Sequence, residues 1–320
     1  MSGGGVEAMC FRHPATPQSA SLPAPLVQGS LKGEYAMFRV GIIGSENSHA
    51  KAFTDIFNAS GKYDDIQVVA IWGEEEEASK KISETYNVPI MKPEEMLGKV
   101  DAIMVTSRNG KLHPGYARPF IEQGLPAFLD KPIANCSKEA EAIIALAREK
   151  GAPVMGGSST KAVPDTLELK AIADAAKAEG KLLGGHVFAP VSMTNDYGNF
   201  YFYSSHLAEI ALTIFGYDPV AVQATKTATG VAGVLEYKDY AITFSYTEGA
   251  YQYGATVLTK DGPTQKPIDI SGCYAAEVSH FVTMLHTGEV PQCDHDIWFP
   301  VKVLNAIEKA FTEGGRVVIE

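Results

Sequence analysis

The sequence predicts an α/β fold on three observations. Short apolar runs alternate with helix-spaced segments from Phe38 to Met155, and a glycine turn closes the first of these runs. From Val220 to Leu258 the pattern changes to the two-residue alternation of half-buried strands. Alternating strands and helices of this length build right-handed βαβ units around a parallel sheet. The later stretch predicts an antiparallel one.

Composition sets the bounds. At roughly 100–200 residues per domain, 320 residues make about two domains. No apolar run approaches the ~20 residues of a membrane span. The net charge of −11 argues against a nucleic-acid partner, because an acidic chain repels phosphate backbones. Cys10, Cys136, Cys273 and Cys293 are widely spaced, which argues against a disulfide framework or a cysteine zinc site and fits a reducing cytoplasm. Residues 1–36 carry Gly3 to Gly5 and four prolines without a sustained period, and read as a disordered tail. Met37 is a possible alternative start, and a docking or targeting arm is the other reading of that tail. The chain thus divides into a tail (1–36), a nucleotide-binding domain (37–157) and a substrate and oligomerisation domain (158–320).

The elements follow in order. Phe38 to Ile43 is a buried-type strand ending at Gly44, and Ser45-Glu46-Asn47-Ser48 is a turn with N-cap chemistry before a helix from His49 to Ala59. Ile66 to Trp72 is the second strand, ending at Gly73, with a helix from about Glu75 to Tyr86. Val88 to Ile90 reads as a short strand and Pro93 to Leu97 as a short helix. Strands at Val100–Thr106 and Ala127–Leu129 alternate with helices at His113–Gln123 and Lys138–Lys150, and Pro153 to Met155 closes the series.

A strand, glycine turn and helix at the start of such a sheet form a dinucleotide site, because the helix N-terminus offers free N–H groups to a pyrophosphate. The glycine fingerprint is degraded: Gly44 can be its first glycine, but Glu46 and His49 fall at the second and third places. Ser45 and Asn47 complete the candidate phosphate turn. A carboxylate at Glu46 would repel a pyrophosphate unless it points away. A ribose-binding acid is expected at the end of the second strand. Gly73 stands there, followed by Glu74 to Glu77, so Glu74 is the candidate ribose ligand. The acidic run would repel a 2′-phosphate, which favours NAD over NADP; the same run also suits a solvated first turn of a helix.

Asp130-Lys131-Pro132 follows the strand Ala127–Leu129, and Val105 to His113 forms a strand-end loop and helix start. With the opening strand, these segments resemble the glucose–fructose oxidoreductase, inositol dehydrogenase and MocA-like (Gfo/Idh/MocA) family over residues 38–320. That family carries Glu-Lys-Pro where Asp130-Lys131-Pro132 stands. The resemblance implies a Rossmann domain joined to an α/β domain with a large, mostly antiparallel sheet. It also implies NAD(P)-dependent oxidation or reduction of a sugar, cyclitol or related polyol. In that setting Lys131 is the candidate catalytic acid–base. Its ammonium can hydrogen-bond the reacting oxygen and pass a proton if burial lowers its pKa. His113 matches the family's loop histidine. Arg108 and Asn109 replace its usual Thr-Pro, as contacts to cofactor or acidic substrate or simply as a turn.

Gly156 to Lys161 is the crossover, where the resemblance makes Lys161 a candidate site residue and a plain linker is the alternative. A helix from about Val163 to Ala178 and a strand from Leu182 to Pro190 follow. The family places a catalytic histidine at the start of the next helix, and His206 matches it. Inositol-dehydrogenase-like members have an Asp four residues earlier, where this chain has Phe202. Tyr203 or Asp196 would be the substitutes, and Tyr203 is a candidate substrate contact. Strands at Val220–Ala228, Gly233–Lys238, Tyr240–Tyr246 and Ala250–Leu258 imply hairpins at Lys238-Asp239 and at Thr247-Glu248-Gly249, with Tyr246, Tyr251 and Tyr253 lining substrate or an interface. Helices at Tyr274–His286 and Phe299–Thr312 and a strand at Val317–Ile319 finish the chain. Cys293-Asp294-His295-Asp296 is consecutive in a Pro-flanked loop and is not read as a metal site.

The leading expectation is an NAD-dependent oxidoreductase for a polyhydroxylated small molecule, working as a homodimer or homotetramer. The alternatives are a redox-neutral glycoside-cleaving enzyme that retains NAD, and a non-catalytic ligand-binding protein on a degenerate dehydrogenase scaffold.

Overall fold

The computed structural model describes residues 37–319; the segment 1–36, read as a disordered tail, lies outside them. The chain runs β1 (Phe38–Ile43), α1 (Ser48–Thr54) continued by a π turn (Asp55–Ala59), β2 (Ile66–Trp72), α2 (Glu76–Tyr86), α3 (Pro93–Met96) and β3 (Ala102–Val105). It continues with α4 (His113–Ile121), β4 (Ala127–Leu129), α5 (Ser137–Lys150), β5 (Val154–Gly156), α6 (Pro164–Ala178) and β6 (Leu182–Pro190). Then come α7 (Tyr201–Phe215), β7 (Ala221–Thr227), β8 (Gly230–Glu236), β9 (Ala241–Thr247), β10 (Gly254–Thr259), β11 (Gly262–Pro267), α8 (Cys273–Thr287), α9 (Asp294–Glu313) and β12 (Arg316–Val318).

The first five strands form a parallel sheet in the order β2-β1-β3-β4-β5. Val40, Ile42, Ile43 and the whole of β3 and β4 are fully buried, as expected of strands covered on both faces. The chain moves from β1 outward to β2, then crosses back to β3 on the other side. That reversal opens a crevice at the C-terminal ends of β1 and β3, where ligands bind in sheets of this kind.

The other seven strands form a second, mostly antiparallel sheet, ordered β11-β10-β6-β9-β8-β7-β12, with only β6 and β9 parallel. Helices α6, α7 and α9 bury one face of it in a core that includes Leu169, Ile210, Phe244, Val257 and Leu304. The opposite face is open and largely uncharged, carrying the partly buried His186, Phe188, Ser245 and Thr256 and the exposed Thr243 and Leu258.

Helices α8 and α9 return to the parallel sheet. Val278, Phe281 and Met284 of α8 pack with Phe53, Phe57 and Phe128, and Ile297 and Val301 of α9 pack with Phe120, Ile143 and Val154.

Several local expectations are corrected. The turn at Thr247–Gly249 does not join a hairpin, because β6 lies between β9 and β10. Val88–Ile90 contributes only an isolated bridge from Ile90 to Ile71. Strand β11 was not expected, since Pro263 and Pro267 break its pattern; it is an edge strand, where missing N–H donors are tolerated. Helix α7 begins at Tyr201, so His206 sits in its second turn rather than at its start. Cys293 is the N-cap of α9 and Asp294 to Asp296 form its first turn, where carboxylates suit the helix dipole; this is not a loop.

Candidate active site

The turn after β1 is built by close approach. Gly44 has φ +112°, and a Cβ there would stand 2.0 Å from the Ser107 nitrogen, so only glycine lets the β1 and β3 loops meet. Asn47 caps α1 by accepting the His49 N–H at 3.2 Å, and its amide donates to Asp130 Oδ2 at 3.1 Å. His49 Nδ1 lies 2.6 Å from the same oxygen, close enough for charge contact though not aligned as a hydrogen bond. Asp130 is fully buried; burial pushes its carboxyl up, but His49 and Lys131 together hold it below the ordinary aspartate range. Asp130 Oδ1 also accepts the Lys131 N–H at 2.7 Å. The end of β4 is thereby tied to the first helix.

Glu46 does not project outward. It is 7% exposed, with Oε1 3.4 Å from the Arg108 N–H and Oε2 beside Gly73. Burial pushes its carboxyl up. Ser45 is turned to Ser79 of α2 at 2.6 Å. Glu74 is exposed and accepts the Tyr116 hydroxyl at 3.1 Å. Arg108 donates to the Tyr197 hydroxyl at 2.7 Å, stacks on that ring, and lies 3.7 Å from Glu75, so it joins the β3 loop to the segment before α7. Asn109 caps a short 3-10 turn by accepting the Lys111 N–H.

Lys131 is 6% exposed at the end of β4. Its ammonium donates to the Phe202 carbonyl at 3.0 Å and stands over the rings of Phe202 and Tyr203 at 4.7 and 5.4 Å. Burial pushes the Lys131 pKa down, against the attraction of Asp130 and Glu277. His206, one turn beyond Phe202 on α7, is 7% exposed and bonds Ser158 Oγ through Nδ1 at 2.7 Å. Burial, with the nearby Lys131 cation, pushes His206 well below the ordinary histidine value, so the ring is neutral at pH 7. Ser158 Oγ also accepts the Thr160 N–H at 3.2 Å and lies 2.7 Å from Thr160 Oγ1. Thr160 Oγ1 in turn donates to the His206 carbonyl at 3.4 Å. If Ser158 donates to Thr160, it must accept from His206 Nδ1–H. Every one of these contacts then has its hydrogen, and Nε2 carries a free lone pair.

The remaining candidates are held differently. His113 is fully buried and its Nε2–H donates to the Ser107 carbonyl at 2.7 Å; burial lowers its pKa, so it is a neutral brace for the loop behind the crevice. Lys161 is turned onto Glu209 at 2.8 Å and the Gly156 carbonyl at 2.5 Å. Tyr246 is buried with its hydroxyl on the Ser204 carbonyl, whereas Tyr203 and Tyr253 lie against the His206 ring and the exposed Tyr251 packs edge-on against Tyr203. Sequence reasoning missed Ser158, Tyr197, Glu209 and Glu277. The Gly157-Ser158-Ser159-Thr160 run carries a capping signal that points to Ser158, while the buried carboxylates on α7 and α8 have none.

Among the described residues no cluster of His, Cys, Asp and Glu could hold a metal ion, and no helix is long and apolar enough to cross a membrane. The crevice fits a dinucleotide. Gly44 and the N-terminus of α1 supply the turn, and Glu46 Oε2 is a buried acceptor without a partner among the described residues, at the side where a ribose would lie.

Comparison with known proteins agrees. Residues 38–158 match the model of the GFO_IDH_MocA oxidoreductase family, described by its NAD-binding Rossmann fold. No curated protein matches the sequence. The fold is similar to that of a putative myo-inositol dehydrogenase from Sinorhizobium meliloti 1021, with TM-score 0.74, 17% identity, and coverage of 89% of this chain and 100% of that one. It is similar to myo-inositol dehydrogenase from Lactobacillus casei, solved with NAD(H) and myo-inositol, with TM-score 0.76, 16% identity, and coverage of 89% and 97%. It is also similar to GenD2 from gentamicin A biosynthesis, solved with NAD, with TM-score 0.78, 14% identity, and coverage of 93% and 100%. Residues 38–158, with their strand order, glycine turn and buried Asp130-Lys131 pair, match the NAD-binding Rossmann domain of the Gfo/Idh/MocA oxidoreductase family.

Proposed function

We propose that the protein oxidises or reduces a carbinol carbon of a sugar, cyclitol or related polyol, with Lys131 and His206 handling the proton. The observation that carries this reading is the pairing of two buried ionisable groups at one edge of the crevice. Lys131 bonds the carbonyl one turn before His206, and both groups have pKa values lowered by burial.

The turn Gly44–Asn47, with Arg108 and Asn109 beside it, would hold NAD, and the bound nicotinamide would supply a hydride acceptor or donor. Lys131 acts on the substrate oxygen. As a neutral amine it takes the hydroxyl proton during oxidation; as an ammonium it returns one during reduction. Desolvation favours the neutral amine relative to a solvated lysine, against the attraction of Asp130 and Glu277. His206 Nε2, with Ser158 holding Nδ1, accepts a hydrogen bond from a neighbouring substrate hydroxyl or relays the proton onward. Asp130 fixes the start of the Lys131 backbone and moderates the loss of its charge. Phe202, Tyr203 and Tyr251 offer apolar ring faces beside these groups, which suits the C–H face of a ring-shaped polyol. The open, largely uncharged face of the second sheet supports a homo-oligomer joined sheet to sheet.

The test is a screen for NAD reduction across sugars, cyclitols and their acids, run with wild type and Lys131→Ala. The expected result is turnover of at least one polyol by wild type and its loss in the variant. A folded protein that binds NAD yet turns over none of these classes would overturn the reading.

A further inference from the structure

Two departures from the dinucleotide fingerprint meet at one point in space. Gly73 stands at the end of β2, where an acid is expected to hold the adenosine ribose, and Glu46 stands in the β1 turn, where a glycine is expected. A Cβ on Gly73 would lie 2.4 Å from Glu46 Oε2. The place a β2-end carboxylate would fill is thus filled by a carboxylate arriving from β1. Gly73 must remain a glycine for it to fit, because Ser45 Oγ also lies 2.2 Å from that position.

Glu46 Oε1 is 3.4 Å from the Arg108 N–H, but Oε2 is buried with no partner among the described residues. A buried acceptor without a donor is unfavourable, and a vicinal diol supplies donors of the right kind. Glu74, the residue expected from sequence to do this, is exposed and engaged by Tyr116.

We propose that Glu46, and not Glu74, accepts the adenosine ribose hydroxyls and selects NAD over NADP. The inference rests on the NAD-dependent reading above. Glu74 and Glu75 are near enough to Glu46 to raise its pKa, so a 2′-phosphate would meet three carboxylates. Arg108, the cation that could favour such a phosphate, faces Glu75.

The test is calorimetric titration of wild type, Glu46→Gln and Glu74→Gln with NAD, NADP and 2′-deoxy-NAD, with thermal unfolding as a check on folding. Wild type is expected to bind NAD about tenfold or more tightly than either analogue, the scale of a hydrogen bond to a charged group. Glu46→Gln is expected to lose about that factor for NAD and to show no further loss for the 2′-deoxy analogue. Glu74→Gln is expected to match wild type toward NAD and 2′-deoxy-NAD. An undiminished 2′-hydroxyl effect in Glu46→Gln would overturn the proposal, as would loss of that effect in Glu74→Gln or a wild-type preference for NADP. Should Glu46→Gln fail to fold, the Glu74→Gln comparison still decides. Wild type that binds no dinucleotide would overturn the functional reading as well, which separates the two failures.

Discussion

The Lys131 ammonium is anchored on the Phe202 carbonyl at 3.0 Å, so the end of the parallel sheet is joined to the helix that carries His206. Lys131→Ala is expected to lower turnover by about 10²-fold or more, the scale of a lost acid–base group. In the oxidation direction the neutral amine is the active form, so the rate should rise with pH through an inflection below the ordinary lysine value of 10.5. Steady-state rates against pH check both points. Near-wild-type turnover in the variant would remove Lys131 from the mechanism.

With Ser158 Oγ donating to Thr160, its contact with Nδ1 selects the Nδ1–H tautomer of His206. Replacing Ser158 with alanine leaves Nδ1 without its partner and lets the proton move between the ring nitrogens. Turnover should fall about five- to tenfold, the worth of one hydrogen bond, with KM little changed. The sharper readout is ¹⁵N NMR of the His206 ring. Wild type should show the Nδ1–H form alone, and Ser158→Ala a mixture. An Nε2–H ring in wild type would contradict the assignment.

Glu277 is buried on α8, and its Oε2 has no partner among the described residues. Burial pushes its carboxyl well above the ordinary value, and Asp130 and Glu209 add to this against Lys161 and Lys131. A carboxyl raised on folding contributes stability that is complete below the unfolded value near 4.5 and is lost as pH rises through the folded one. Glu277→Gln should therefore match wild type at acid pH and gain over it as pH increases, by up to about 1.4 kcal/mol per pH unit in that window. Thermal unfolding of both proteins across the pH range measures the difference. A constant offset would show that Glu277 does not titrate there.

His113 braces the Ser107 carbonyl from a fully buried position. His113→Ala removes both the bond and the ring, and should cost about 2–4 kcal/mol of stability. Denaturant unfolding with NAD absent isolates this from any effect on binding. A loss under about 0.5 kcal/mol, the range of an ordinary surface substitution, would place the ring outside the core.

The parallel sheet was legible because strands covered on both faces leave unbroken apolar runs such as Val40 to Ile43. Pairing in the second sheet was not. Alternation marks Tyr240–Tyr246 and Ala250–Leu258 as strands but cannot show that β6, some fifty residues earlier, lies between them. Strand β11 escaped because an edge strand needs neither a regular apolar face nor a full set of N–H donors. Gly44 and Glu46 stood out by their spacing after the first strand, and Lys131 and His206 by the family resemblance, but the direction of their side chains did not. Glu46 turns inward because Gly73 leaves room for it, a fact of two loops meeting that neither loop carries alone.

Helices α8 and α9 give the packing of the parallel sheet a consequence for how the chain is made. The faces bearing Phe53, Phe57 and Phe128 are closed by side chains that begin at Val278, near the end of the chain. A core shared with α8 cannot close until that helix has been synthesised, so until then this aromatic surface lacks its cover. A fragment ending at residue 158 would present to water the apolar surface on which chaperones and aggregation act.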